Sequence, residues 1–106
     1  MACKYNIRVF IGTQFDSAGE PLTAADVTLT LDDFQRSIAR ISGGVTVYTG
    51  SGISAECPGG EATTIVETFC EPVQYADIMA EVVLLKLALR QGSILVVHQF
   101  AEANFI

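Results

Sequence analysis

The chain has no tryptophan, a single histidine, three prolines and only six lysine or arginine residues among its 106 positions, and each shortage removes a class of function. Cys3, Cys57 and Cys70 are odd in number and contain no CxxC pair, and His98 is the one imidazole, so a structural zinc site lacks its usual ligands. The thiols read as buried or surface groups in a reducing compartment. No metal or cofactor is expected. The six basic residues are scattered against twelve acidic ones, for a net charge of −6. Nucleic acid is therefore not an expected partner, because binding its backbone works by neutralising phosphates with lysine and arginine. The acids are spread along the chain as well, which is ordinary for solubility and unlike a nucleic-acid mimic. No apolar run reaches the roughly 18 to 20 residues that a membrane span needs. The longest candidate, Ile78 to Leu89, is interrupted by Glu81 and Lys86. The first residues carry no basic segment, apolar core and cleavage site of a secretory signal, so the expected location is cytoplasmic.

What is present is apolar surface. Half of the residues are hydrophobic, 17% are charged, and the mean hydropathy is +0.41. The length suits one domain, residues 1–106, with a core of its own. The apolar excess points to a subunit interface.

The stretch Gly43 to Val66, GGVTVYTGSGISAECPGGEATTIV, organises the reading. Val45, Val47 and Ile53 alternate with Thr46, Tyr48 and Ser54, which predicts a strand with one buried face. Cys57-Pro58-Gly59-Gly60 turns the chain, and Glu61 to Phe69 resumes strand character. Gly50, Ser51 and Gly52 sit inside the first strand, where glycine marks a bulge or a close approach to the backbone. Glu56 and Glu61 flank the turn. A site, if there is one, belongs here.

Elsewhere, Tyr5, Ile7, Val9 and Ile11 alternate with Asn6, Arg8 and Phe10 in a strand over Cys3 to Ile11. Gly12 to Pro21 is a polar loop in which Phe15 is a lid residue or, more commonly for a lone aromatic, a plug. Thr23 can cap a helix, with Leu22 placed to staple onto Val27. Val27, Leu31, Phe34, Ile38 and Ile41 make one helical stripe, which outranks the β-branched character of VTLTL and stops at Gly43. Asp32 and Asp33 with Arg36 and Arg40 are solvated pairs. Pro72 opens a second helix with the stripe Ile78, Val82, Leu85 and Leu89. Val83, Leu84 and Leu87 widen its apolar surface, predicting cover on more than one side, and Gly92 ends it. Ser93 to Val97 reads as a short strand buried in a sheet interior. Phe105-Ile106 is apolar enough to pack on this subunit or a neighbour. The order strand, helix, strand, strand, helix, strand is the ferredoxin-like βαββαβ pattern, a four-stranded antiparallel sheet with two helices on one face. Its other face is left bare, a natural oligomer or ligand surface.

Each candidate has a plain alternative. Glu61 or Glu56 beside a glycine turn can be merely solvated, Tyr48 can cover the open side of the sheet or join an interface, and His98 has no nucleophile set beside it by a recognisable motif. The GSG triplet has neither the GxxxxGK[ST] context nor a following helix, so it is not a phosphate loop.

The succession GGVTVYTGSGI, SAE, a glycine-rich turn, Glu-x-Thr opening a strand, and Gln-Gly ahead of an ILVV strand resembles the small phage-encoded S-adenosylmethionine lyases. It is also similar to a related-looking domain family of unknown function. The similarity runs from about Tyr5 to Phe105. It implies a homotrimer with an adenosine-containing small molecule held between subunits near the hairpin, and cleavage of S-adenosylmethionine to methylthioadenosine and homoserine lactone. In that chemistry the substrate's own carboxylate attacks, so the protein need only fold the substrate and exclude water. The matching positions are Tyr48, with Gly50, Ser51 and Gly52 as the ligand-binding strand, and Glu56 or Glu61 as the carboxylate that acts. A second acid is implied before the last strand, where this chain has Arg90-Gln91. The alternative is a non-enzymatic phage protein that sequesters a nucleotide signal against a host defence. A phosphate would then need donors such as Arg8, Arg40 or Arg90, or backbone amides near Gly50 to Gly52. A structural module without a small ligand is a third reading.

Overall fold

A computed structural model of the chain describes residues 2–53, 59–104 and 106. Strand β1 (Ala2–Gly12) leads into helix α1 (Ala24–Ser42), then β2 (Thr46–Gly52) and β3 (Glu61–Cys70). A 3₁₀ turn, Pro72–Gln74, runs into helix α2 (Tyr75–Ala88), and β4 (Leu95–Ala103) follows. The four strands form one antiparallel sheet in the order β2-β3-β1-β4. With both helices on one face, this is the ferredoxin-like architecture that the element order predicts.

The core lies between that face and the helices. Ile7, Val9 and Ile11 of β1 are buried together with Val66 and Cys70 of β3, Leu31, Phe34 and Ile38 of α1, and Ile78, Val82, Leu85 and Leu89 around α2. Both helical stripes thus point inward as their spacing requires, and each such aliphatic side chain contributes about 1.5–3 kcal/mol by leaving water. The ends of α1 follow from local chemistry. The Thr23 hydroxyl accepts the Asp26 N–H at 3.2 Å, while Gly43 takes φ 101° and donates its N–H to Ala39. Leu22 and Val27 both pack against the core, as a staple would. The buried Thr68 hydroxyl donates to the Gly44 carbonyl at 2.8 Å, tying the exit of α1 to β3.

Several details depart from the expectations. The predicted buried face of β2 is missing: Val47 is 40% exposed, because β2 is the outermost strand and the helices cover β1 and β3. The last strand is the opposite edge of the sheet rather than an interior strand, and it is longer than Ser93 to Val97. Helix α2 stops at Ala88, ahead of Gly92, with Arg90 in the left-handed region at φ 52°. A non-glycine residue there costs of order 1–2 kcal/mol, and contacts with the β1–α1 loop hold it. Ser17 N–H donates to the Arg90 carbonyl at 2.9 Å, and the Arg90 guanidinium pairs with Asp16 at 3.2 Å. Phe15 stands in this loop at the surface and is no plug. Val83, Leu84, Leu87 and Ile106 are also exposed within the single chain. Cys70 is a buried free thiol whose pKa burial pushes up, with Glu71 adding to the effect.

Candidate functional site

Alternation along the strands assigns side chains to the bare face of the sheet, and the register lines them up in rows across it. Gly50 of β2 stands opposite Thr63 of β3, which stands opposite Gly12 of β1. This row carries one small side chain between two glycines. The next row is apolar: Tyr48, Ile65, Phe10 and Leu95. The row after it holds Thr46, Glu67, Arg8 and Val97. Successive rows lie about 7 Å apart, two residues of strand rise. A cleft of ≈ 320 Å³ occupies the glycine row, with Phe10, Ile65 and Leu95 along one side and Gly52, Ile53 and Glu61 along the other.

Glu61 enters this cleft because of what is absent opposite it. A Cβ built on Gly12 would collide with the Glu61 carboxylate, so the carboxylate occupies the space that any other residue at position 12 would fill. The segment after Gly12 holds it there. Gln14 N–H donates to Glu61 Oε2 at 3.3 Å, and the Gln14 side-chain carbonyl accepts the Ala62 N–H at 2.8 Å. Thr13 N–H donates to the Ala62 carbonyl at 3.1 Å, which extends the β1–β3 pairing past the named strand end. The result is a fixed negative charge at one end of a notch whose far side is apolar. Such a notch suits a flat, partly cationic guest.

Of the residues singled out from the sequence, Gly50, Ser51, Gly52 and Glu61 line the cleft. Gly52 pairs directly with Glu61. Ser51 is exposed and contributes at the rim, since alternation places its side chain on the other face. Tyr48, 41% exposed, stands on the bare face one row from the notch and is not part of its lining. Glu56 lies outside the described residues. Gly12, Gln14, Phe10, Ile65 and Leu95 were not singled out as site residues. Their facing follows from alternation, but the register that brings them beside Gly50 depends on pairings that one strand does not reveal.

Elsewhere among the described residues the polar groups are already engaged with one another. A larger cavity of ≈ 470 Å³ runs along Ser42 to Thr46 and Glu67 to Phe69. Its carboxylate, Glu67, already accepts the Asn6 amide at 3.0 Å, and the Gly44 carbonyl already accepts Thr68. His98 meets Tyr5 and Tyr75 edge-on, with Nδ1 3.3 Å from the Tyr75 hydroxyl, and Phe100 packs on the Tyr5 ring. Arg90 and Gln91, where the resemblance implies a second acid, brace the β1–α1 loop through Asp16 and the Phe15 carbonyl. The Asp16 carboxylate is held below its ordinary value by the Glu20 N–H, with smaller help from Arg90 and the Ala18 N–H. Among the described residues, no three His, Cys, Asp or Glu side chains come together as metal ligands. No described helix is long and apolar enough to cross a membrane.

No family model and no curated protein matches the sequence. Among solved structures, the chain is similar to a phage SAM lyase in complex with S-methyl-5'-thioadenosine, with TM-score 0.66 and 15% identity over 91% of this chain and 80% of that one. It is also similar to a phage SAM lyase in the apo state, with TM-score 0.50 and 14% identity over 98% and 93% of the two chains. The fold is shared with the proteins that the hairpin motifs resemble.

Proposed function

We propose that the chain is an S-adenosylmethionine lyase, which binds its substrate in the glycine-notched cleft and releases methylthioadenosine and homoserine lactone. The observation that carries the reading is the Glu61 carboxylate seated over Gly12, in a fold shared with a lyase that holds methylthioadenosine. The notch admits the flat nucleoside against the backbone, Phe10 and Ile65 give it an apolar wall, and Glu61 meets the cationic part of the substrate. Tyr48 borders the ligand from the neighbouring row.

The reaction balances without a protein base. A carboxylate oxygen of the substrate attacks its own γ-carbon, the C–O bond of the lactone forms, and the C–S bond breaks with its electron pair going to sulfur. The positive sulfonium thereby becomes the neutral thioether of methylthioadenosine. The protein's part is to hold the chain bent for attack and to keep water out. Separation of opposite charges is lost in this step, so an apolar, closed site favours it over bulk water.

A single chain leaves the cleft open on the bare face of the sheet. Closure comes from copies of the chain packed face to face, a homotrimer, which would also cover the exposed Tyr48 and Leu95. The second reading, a cytoplasmic protein that sequesters an adenosine-containing nucleotide without turnover, uses the same cleft. It is favoured by Arg90 and Gln91 at the place of the second acid.

Incubation of the purified protein with S-adenosylmethionine, followed by chromatography and mass spectrometry, separates the two. The lyase reading expects methylthioadenosine and homoserine lactone in excess of one equivalent per subunit, strongly reduced in E61Q. Recovery of the ligand unchanged rejects turnover.

A further inference from the structure

The turn between α2 and β4 grips the loop between β1 and α1, and that loop holds Glu61. Residues 14–22 form a small hairpin of their own. Leu22 N–H donates to the Gln14 carbonyl at 2.8 Å and Asp16 N–H to the Glu20 carbonyl at 2.9 Å, while the Asp16 carboxylate accepts the Ala18 and Glu20 N–H groups, each at 2.9 Å. Gln14, where this hairpin leaves β1, gives its own N–H to Glu61 Oε2. Arg90, Gln91 and Gly92 take the outer side of the hairpin. The Arg90 carbonyl accepts the Ser17 N–H, and its guanidinium pairs with Asp16. Gln91 donates from one side-chain nitrogen to both the Phe15 and the Leu89 carbonyls, at 3.0 and 3.1 Å. Gly92 passes so near that a Cβ there would stand 3.4 Å from Ser17 Cβ. The Gln91 backbone N–H donates to the Lys86 carbonyl at 2.9 Å, which anchors the turn to helix α2. Arg90 takes its left-handed conformation to make this turn, and strain of that kind persists where surrounding contacts impose it, often beside a functional site.

We propose that Gln91 is a positioning residue for Glu61. Through the Phe15 carbonyl it fixes the hairpin, and the hairpin fixes the Gln14 N–H that aims the carboxylate into the notch. Under the proposed function, on which this inference rests, the cationic part of the substrate meets a carboxylate already set in place, and such preorganisation lowers the cost of binding. The position requires a donor. Glutamine supplies an N–H group to each of the two carbonyls, whereas an ionised glutamate would present only acceptors to acceptors. That accounts for an amide at 91, beside the strained Arg90, where the resemblance implies an acid. Gln91 is outside the lining of the cleft, so its effect passes through Gln14 and Glu61.

Substitution of Gln91 in the full chain tests this, with Q91M removing the donor and Q91E setting a carboxylate against the two carbonyls. Both are expected to lower kcat/KM for S-adenosylmethionine by about 10- to 100-fold, the scale of a misplaced contact. Both should leave the affinity for methylthioadenosine, which has no charge for Glu61 to meet, as in wild type. In ligand-free ¹⁵N-labelled protein the Gln14 amide proton should move upfield in Q91M, toward its place in E61A. A Q91E protein as active as wild type, or more active, overturns the inference, because position 91 then has no need of a donor. Loss of methylthioadenosine affinity in parallel with S-adenosylmethionine also overturns it, since the turn then supports the cleft as a whole. If wild type forms no methylthioadenosine, the proposed function fails and the Gln14 amide alone decides: moved in Q91M as in E61A it upholds the positioning role, and unmoved it ends it. Should Q91M fail to fold by thermal melt, R90G takes its place, since it relieves the left-handed strain while removing the Asp16 pairing. The same movement of Gln14 is expected there, and its absence overturns the inference.

Discussion

Gly12 shapes the site by having no side chain. Its missing Cβ leaves room for the Glu61 carboxylate, and the obstructing atoms are the far end of a flexible chain, not backbone. Gly12 also has no positive φ to forbid alanine. G12A should therefore fold with stability within about 1 kcal/mol of wild type, since alanine is if anything better than glycine in a strand. It should nonetheless expel the carboxylate and weaken S-adenosylmethionine binding by about 10-fold or more, the loss of a charged contact. Thermal melts and calorimetry on the same sample check both halves, and a folded G12A that binds like wild type contradicts the role given to Glu61. At this scale Glu61, Gly50 and Gly52 were legible from turn and strand chemistry. Gly12 and Gln14 were not, because their importance appears only once β1 is paired with β3.

At the scale of elements, the helices were the most legible, since an apolar stripe, a Thr23 cap and a Gly43 stop all act within a few residues of chain. The strands at the sheet edges are not legible as edges for a physical reason: alternation in β2 and the apolar run that opens β4 look alike whether a strand is central or outermost. The end of α2 was misjudged because Arg90 is held in its left-handed conformation by contacts across the chain, through Asp16 and Ser17. Asp16 carries a pH dependence, set first by the Glu20 N–H and less by Arg90. The Asp16 carboxyl lies below its ordinary value of 3.8 in the folded chain, so it stabilises the fold above the unfolded value and ceases to do so as pH falls through its lowered value. D16N should be less stable than wild type at pH 7, and the gap should close in acid, below about 3.8. Denaturation curves of the two proteins at several pH values measure this. A gap that persists or widens in acid contradicts the ionised-carboxylate account.

At the scale of the molecule, helices cover the central strands on one sheet face, and the other face presents a notch with an acid at one end and an arginine beyond its apolar wall. The fold was legible from element order alone, whereas the location of the cleft required the register. Two cavities border β2, at its two ends, and the whole account depends on the ligand choosing the one at Gly50. Amide spectra of ¹⁵N-labelled protein titrated with methylthioadenosine decide this directly, because glycines mark both places. Saturable shifts at Gly12, Gly50 and Gly52 with Gly43 and Gly44 unmoved are the predicted result. Shifts centred on Gly43 and Gly44, or no shifts at all, would contradict it.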